Sequence, residues 1–560
     1  MVGLQQLREV ISLRNTEKSE GGVLELLGME TWAEVLRTYD EEIGMQYPVL
    51  DIEAMIGRIR TARETKCRDD RCIEDIACLV ICLVSCLTAS AVVDIASPLV
   101  HEIFSAAIVR VHTEVVEEGD LVLLILASMF FFLSDREVEA WRCIGTVMRL
   151  LHEMCTHSSE DHGVSGILYW TAYTLDRRWS FGTGLPFAFA DAETTSIRLP
   201  VLQGDESLSS AYLKQMVAYC RISSETRRAL LDPPPVSTSR SPVDHDASRD
   251  FAHFRIIQWQ NNIPKKLRFR GVDDKFDPTR ETRGEYKLRL MLYLRANQMR
   301  TLILRKSATV STFSHITSID DASSAHTVLQ IAQDTIRVLV YLGKETDIYH
   351  AQHRTFNHFL ETALSFLLLI VCCAGPTSRP PACFAEVVAA MDLIRQLSEQ
   401  SHITRKLHDK LQVIRRVVDG LKPLSPNLHI IERPSAEAGP TEGDNTNPPP
   451  GDVSTSVPQA WMSTINLDTQ NGVEAANPAA TASYPGFSSY AQGPDTSLHS
   501  VGPNDLAAAC DPLTISDSSS SDLLMGGGGV PSEMNLLPEL DESRFRELND
   551  ILMDYESFAF

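Results

Sequence analysis

The chain has 560 residues, 44% of them apolar, and a formal net charge of −23. That is long enough for more than one domain, and roughly the first 430 residues can bury a large core. The charge is uneven: residues 434–560 carry 19 acidic and 2 basic residues, a net of −17, and the rest of the chain only −6. Such a tail repels DNA, so any nucleic-acid contact must come from a local patch or a partner. Of the twelve cysteines, Cys78, Cys82, Cys86, Cys143, Cys155, Cys372 and Cys373 sit in apolar helical sequence. That usage fits buried thiols in a reducing compartment better than a disulfide framework.

In chain order, the first twenty residues lack the uninterrupted apolar run of a signal peptide. Leu4, Leu7 and Ile11 keep coiled-coil spacing for one heptad, too little for a coiled coil, and residues 1–28 read as a frayed N-terminal helix remnant. Residues 29–60 read as helix, extended entry, helix. Pro48 keeps Gln46-Tyr47 out of helix, and Asp51 caps a helix with Ala54, Met55 and Ile59 on one face. Helices are then expected at about 71–93, 96–116, 119–133, 136–155 and 163–179. Ile76 to Val93 carries no charge over 18 residues, the lower bound for a membrane span. It is bounded by Asp75 and Asp94 and lacks interfacial Trp or Tyr, so it reads as a buried central helix rather than a membrane segment. Residues 223–250, with the Pro233–Pro235 run, read as a linker. The core resumes at Phe251, and further helices are expected at about 322–343, 350–374, 382–399 and 402–420. No convincing β alternation occurs, which makes the fold class all-α. Residues 434–538 hold 13 of the 28 prolines, so 431–537 reads as a disordered Pro/Ser/Gly-rich linker.

The most specific stretch is 169–200, YWTAYTLDRRWSFGTGLPFAFADAETTSIRLP. Trp170 and Leu175 are apolar helix positions. Asp176 and Arg177 are sequence neighbours, which do not face each other on a helix, so each is expected to find its own partner. Gly182 and Gly184 allow positive φ at the helix end, Pro186 stops further helix, and Leu199-Pro200 closes an acidic segment. On these residues the stretch resembles the signature of the fungal-specific transcription factor domain, the middle homology region of fungal zinc-cluster regulators. The commoner family form has Gly-Arg-Pro where this chain has Gly-Thr-Gly-Leu-Pro. Weaker resemblance extends over about residues 30–310, including segment 136–155 and the Trp259…Ile263-Pro264 element. The resemblance implies a helical regulatory domain in two parts, 29–222 and 251–430. It implies structural roles for Trp170, Leu175, Asp176, Arg177, Gly182, Gly184, Pro186, Leu199 and Pro200. It also implies a nuclear transcription regulator, often pathway-specific, working as a homodimer or with a zinc-cluster partner and answering to a small-molecule effector.

The family's hallmark is missing. A six-cysteine zinc cluster needs roughly C-x2-C-x6-C, a loop, and the same again in a basic context. The nearest run, Cys67-x4-Cys72-x5-Cys78-x3-Cys82-x3-Cys86, has the wrong spacing, and its last three cysteines line one face of an apolar helix. No zinc or other cofactor is therefore expected in this chain. Either the natural protein lacks a DNA-binding domain, or its reading frame begins upstream. DNA is then reached only indirectly or through that missing domain. At residues 538–560, Phe545, Leu548, Ile551, Leu552, Tyr555 and Phe558 fall on one helical face among seven acids. That is the composition of an acidic activation segment that recruits a coactivator or the transcription machinery, the alternative being a helix docked on its own core. Enzyme readings fare worse. His350, His353 and His358 do not converge on one face, and no zinc-protease, nucleophile-elbow or phosphate-loop motif occurs. The basic runs at 265–270 and 405–406 read as solvated faces, with nuclear import as the other reading.

Overall fold

Helical periodicity decides the architecture. The computed structural model describes residues 4–15, 22–65, 72–88, 92–157, 166–194, 207–231, 242–313, 319–373, 381–399, 404–409 and 411–412. Among these there is no strand. The first half comprises α1 (Leu4–Asn15), α2 (Val23–Leu26), α3 (Met29–Tyr39), α4 (Ile52–Thr65), α5 (Ile73–Thr88), α6 (Val93–Thr113), α7 (Glu118–Leu133), α8 (Glu137–His157) and α9 (Gly166–Thr183). The second comprises α10 (Leu208–Thr226), α11 (Pro242–Asn261), α12 (Arg283–Phe313), α13 (Ile319–Glu345), α14 (Ile348–Ala351), α15 (His353–Cys373) and α16 (Pro381–Ser398).

The most apolar helix lies deepest. Every residue of α7 from Asp120 to Phe132 is buried, as a helix apolar on all faces must be. It packs against α5, α6 and α8. A capping box of Glu117 and Asp120 starts it, and Arg110 reaches the buried Asp120 at 3.0 Å. The uncharged stretch from Ile76 behaves as expected of a central helix: Ile76–Val84 is buried in α5, against α1, α3 and α7. Among the described residues no helix is long and apolar enough to cross a membrane. Cys78, Cys82, Cys86 and Cys143 are buried free thiols, and burial raises the pKa of each.

Three local expectations need correction. First, α1 is not frayed: Leu7, Val10 and Ile11 are buried in the core, and the helix packs on α5 and α6. Second, the described parts of 223–250 are helical, the Pro233–Pro235 run lying outside the described residues. A π-helical turn, Arg227–Leu231, continues α10, and α11 starts at Pro242. A proline in the first turn costs no hydrogen bond, because that N–H has no helical acceptor. Third, Gly182 lies buried inside α9, and only Gly184 takes a positive φ, +69°. Leu199, Pro200, the 431–537 segment and the six apolar positions at 545–558 lie outside the described residues.

A buried ion pair ties the start of the chain to α12. Behind α3 a π-helical turn, Asp40–Gly44, directs Glu42 inward. There Lys287 Nζ donates to Glu42 Oε2 at 2.5 Å and to its carbonyl at 2.9 Å, and Arg283 holds the other carboxylate oxygen. Lys287 is 0% exposed. The two segments approach so closely that a Cβ on Gly284 would run into Met45 Sδ and lie 3.2 Å from Glu41 Cα. Gly284→Ala is therefore expected to destabilise the fold by about 1–3 kcal/mol, as overpacking does, read from the urea-denaturation midpoint.

Candidate functional site

Helix α9 brings the signature residues together because it is buried nearly all round, between α8 and α10. Trp170 is 0% exposed and meets Tyr169 and Tyr173 edge-on, at 5.4 and 5.2 Å between ring centroids. Leu175 is equally buried. With apolar neighbours on every side, a charge on this helix needs dedicated partners. Arg177 has them. Its Nη1 donates to Asp176 Oδ2 at 2.6 Å, and its Nη2 to Asp191 Oδ1 at 2.8 Å and to the Phe189 carbonyl at 2.7 Å. Its guanidinium lies between two rings, 4.4 Å from Tyr173 and 4.3 Å from Phe187. Tyr173 Oη completes the set by donating to Asp191 at 2.7 Å.

Asp176 and Arg177 thus do pair, contrary to the expectation for sequence neighbours. The arginine side chain is long enough to bring its guanidinium back to the carboxylate of the preceding residue. Asp176 also accepts the Ala188 N–H at 3.2 Å, so one carboxylate anchors both the arginine and the returning turn. Burial pushes the Asp176 carboxyl up to about 6, against the pull of Arg177.

The turn itself is clamped by side chains that sequence reasoning did not single out. Arg227 donates to the carbonyls of Ser180, Gly184 and Leu185 at 2.9, 2.8 and 3.2 Å, satisfying orphan acceptors at the end of α9. The Pro186 carbonyl accepts from Trp141 Nε1 at 2.9 Å and from Ser180 Oγ at 3.1 Å. The one available signal was the acidic segment after the turn, which contains Asp191. Nothing in the sequence singled out Arg227 as the cap, because its partners lie more than 40 residues away.

Next to the turn lies a cavity of about 50 Å³ between α8, α9, α10, α12 and α15. Arg178 faces it from α9, donating to Tyr47 Oη at 2.5 Å and Thr355 Oγ1 at 3.1 Å while stacking 4.4 Å from the Phe132 ring. Arg295 faces it from α12 and Glu137 from α8. Burial pushes the Glu137 carboxyl up to about 7, against the attraction of Arg178 and Arg295. His358 retains some surface exposure, yet burial holds its pKa well below the ordinary value. Both follow if its exposed edge is cavity wall rather than outer surface.

The three histidines are not brought together: His350 and His353 meet only through a ring nitrogen and a carbonyl at 3.2 Å, and His358 stacks on Phe132. Among the described residues no group of three or more His, Cys, Asp or Glu could hold a metal ion. Lys265, Lys266, Arg268 and Arg270 are exposed around the buried Leu267 and Phe269.

Residues 85–226 match the family model of the fungal specific transcription factor domain. The match spans α6 to α10 and contains the α9 signature, a narrower reach than the 30–310 suggested by the resemblance. The match covers about a quarter of the chain and shows what that part is similar to. No curated protein and no solved structure matches the chain.

Proposed function

We propose that the chain is a pathway-specific transcription regulator of a fungal nucleus, whose helical unit controls an acidic activation segment at 538–560. The observation that carries this reading is the family match over 85–226, which contains the α9 turn held by Asp176, Arg177 and Asp191. The match supports regulation of transcription. Composition supports the activating tail, where acids keep Phe545, Leu552 and Tyr555 solvated and ready for a partner's groove. The experiment is a reporter assay with residues 434–560, residues 1–433 and the whole chain, each fused to a heterologous DNA-binding domain. The tail is expected to activate alone and to lose most of that activity when Phe545, Leu552 and Tyr555 become Ala. If neither the pieces nor the whole chain alters transcription, the reading is wrong.

A second reading makes the chain a co-regulator that reaches DNA through a zinc-cluster partner. It is favoured by the cysteine run from Cys67 to Cys86, whose spacing does not suit a zinc cluster, and by the net charge of −23. Under it, the protein shifts promoter DNA in a gel only when the partner is added.

A further inference from the structure

The cavity beside α9 has a charge arrangement that the regulatory reading does not use. Among the described residues no carboxylate lies within ion-pair distance of Arg178 or Arg295. Arg178 is held by two hydroxyls and the Phe132 ring. Arg295 donates to Gln298 Oε1 at 3.3 Å and lies 5.0 Å from the Phe359 ring centroid, and its buried Nε has no partner. Of the acids nearby, Glu137 pairs with Arg354 at 3.2 Å and Asp135 with Arg354 and with Lys406, the latter at 2.6 Å, while Glu361 places a further negative charge near Glu137 and Arg354. Both arginines are half-buried, Glu137 attracts them without contact, and a guanidinium with unused donors matches a carboxylate geometrically. The rest of the wall is largely apolar, with Met216, Met299 and Leu302 among it. Polar anchors set in an apolar wall are the usual make-up of a small-molecule site. A single water needs roughly 10–15 Å³ counted this way, so about 50 Å³ admits a few non-hydrogen atoms and no large ligand.

We propose that this cavity binds a small organic carboxylate, its oxygens held by Arg178 and Arg295 and its short apolar body against Met216, Met299 and Phe359. Arg178 already bridges Tyr47 near the start of the chain and Thr355 on α15. An occupant pulling on Arg178 therefore acts on three segments distant in sequence. That the occupant serves as an effector rests on the regulatory reading above. The binding does not, so the two can fail separately.

The test uses the full chain and sodium acetate or sodium propionate as probes, with propionamide, sodium chloride and sodium phosphate as controls, read by thermal shift and titration calorimetry. At least one carboxylate is expected to raise the unfolding midpoint saturably, while propionamide and chloride do not. Arg295→Gln is expected to weaken that binding about tenfold, the loss of one charge-assisted contact. Should Arg295→Gln fold poorly, Met299→Phe, which fills the void and leaves the charges in place, is expected to abolish the response. No saturable response to either carboxylate overturns the proposal, as does a response that survives in these variants. A response to phosphate alone overturns the assignment to a carboxylate.

Discussion

Arg177→Met is expected to cost about 3–5 kcal/mol of stability, the penalty of stranding a buried charge. The substitution leaves Asp176, 0% exposed, without its cation, and takes from Asp191 and the Phe189 carbonyl the donor that joins them to α9. Arg177→Lys keeps the charge but loses the planar fork and the two-sided ring contact. It is expected to cost about 1.5–3 kcal/mol, the worth of a charged hydrogen bond. Urea denaturation measures both. The sign of the pH dependence provides a second check. Burial raises Asp176 from an ordinary 3.8 to about 6. Its contribution to stability is therefore full below about pH 3.8 and is lost as pH rises through about 6. Without Arg177 the ionised form has less support, so the deficit of Arg177→Met should be smaller at pH 5 than at pH 8. Equal deficits at both pH values would mean that Asp176 is not the stranded group.

Glu42→Leu is expected to be comparably severe, again about 3–5 kcal/mol, because it leaves the fully buried Lys287 facing Arg283 with no acid between them. The double variant Glu42→Leu/Lys287→Met should recover much of that loss, since an apolar pair replaces the stranded charge. Denaturation of the two single variants and the double completes the cycle. Here the sign is opposite to that of Asp176. Burial alone would raise the Glu42 carboxyl, but the attraction of Lys287 and Arg283 outweighs it and holds the pKa below the ordinary 4.5. The stabilisation is present above about pH 4.5 and lost as the pH falls below it. Lys287→Met should therefore flatten the acid limb of the stability profile.

What was legible in the sequence follows from range. The long apolar runs of α5, α7 and α9 are local information, and their length, with the lack of β alternation, pointed to the all-α class and the positions of these helices. Cap residues and prolines are also local, although the linker read over 223–250 extended too far on both sides of the Pro233–Pro235 run, since Arg227–Leu231 continues α10 and Pro242 opens α11. The partners of charged residues were not legible. Arg178 meets Tyr47 and Thr355 at separations of 131 and 177 residues, and Lys287 meets Glu42 at 245. No periodicity encodes such pairings. The signature segment was readable as a buried helix and a turn, but Arg177 serving as the hub between Asp176 and Asp191 depends on a fold-back that i,i+1 spacing does not suggest.

The same separation sets a clock. At about 5–20 residues per second of synthesis, residue 287 leaves the ribosome roughly 12–50 seconds after residue 42, given the 245 positions between them. For that interval the nascent N-terminal helices carry a carboxylate whose cation does not yet exist. While Glu42 waits, water must hydrate it, so the π-helical turn cannot close over it until α12 arrives. The segment matched by the family model, 85–226, emerges entirely within this wait and is complete before its α12 neighbour has been made.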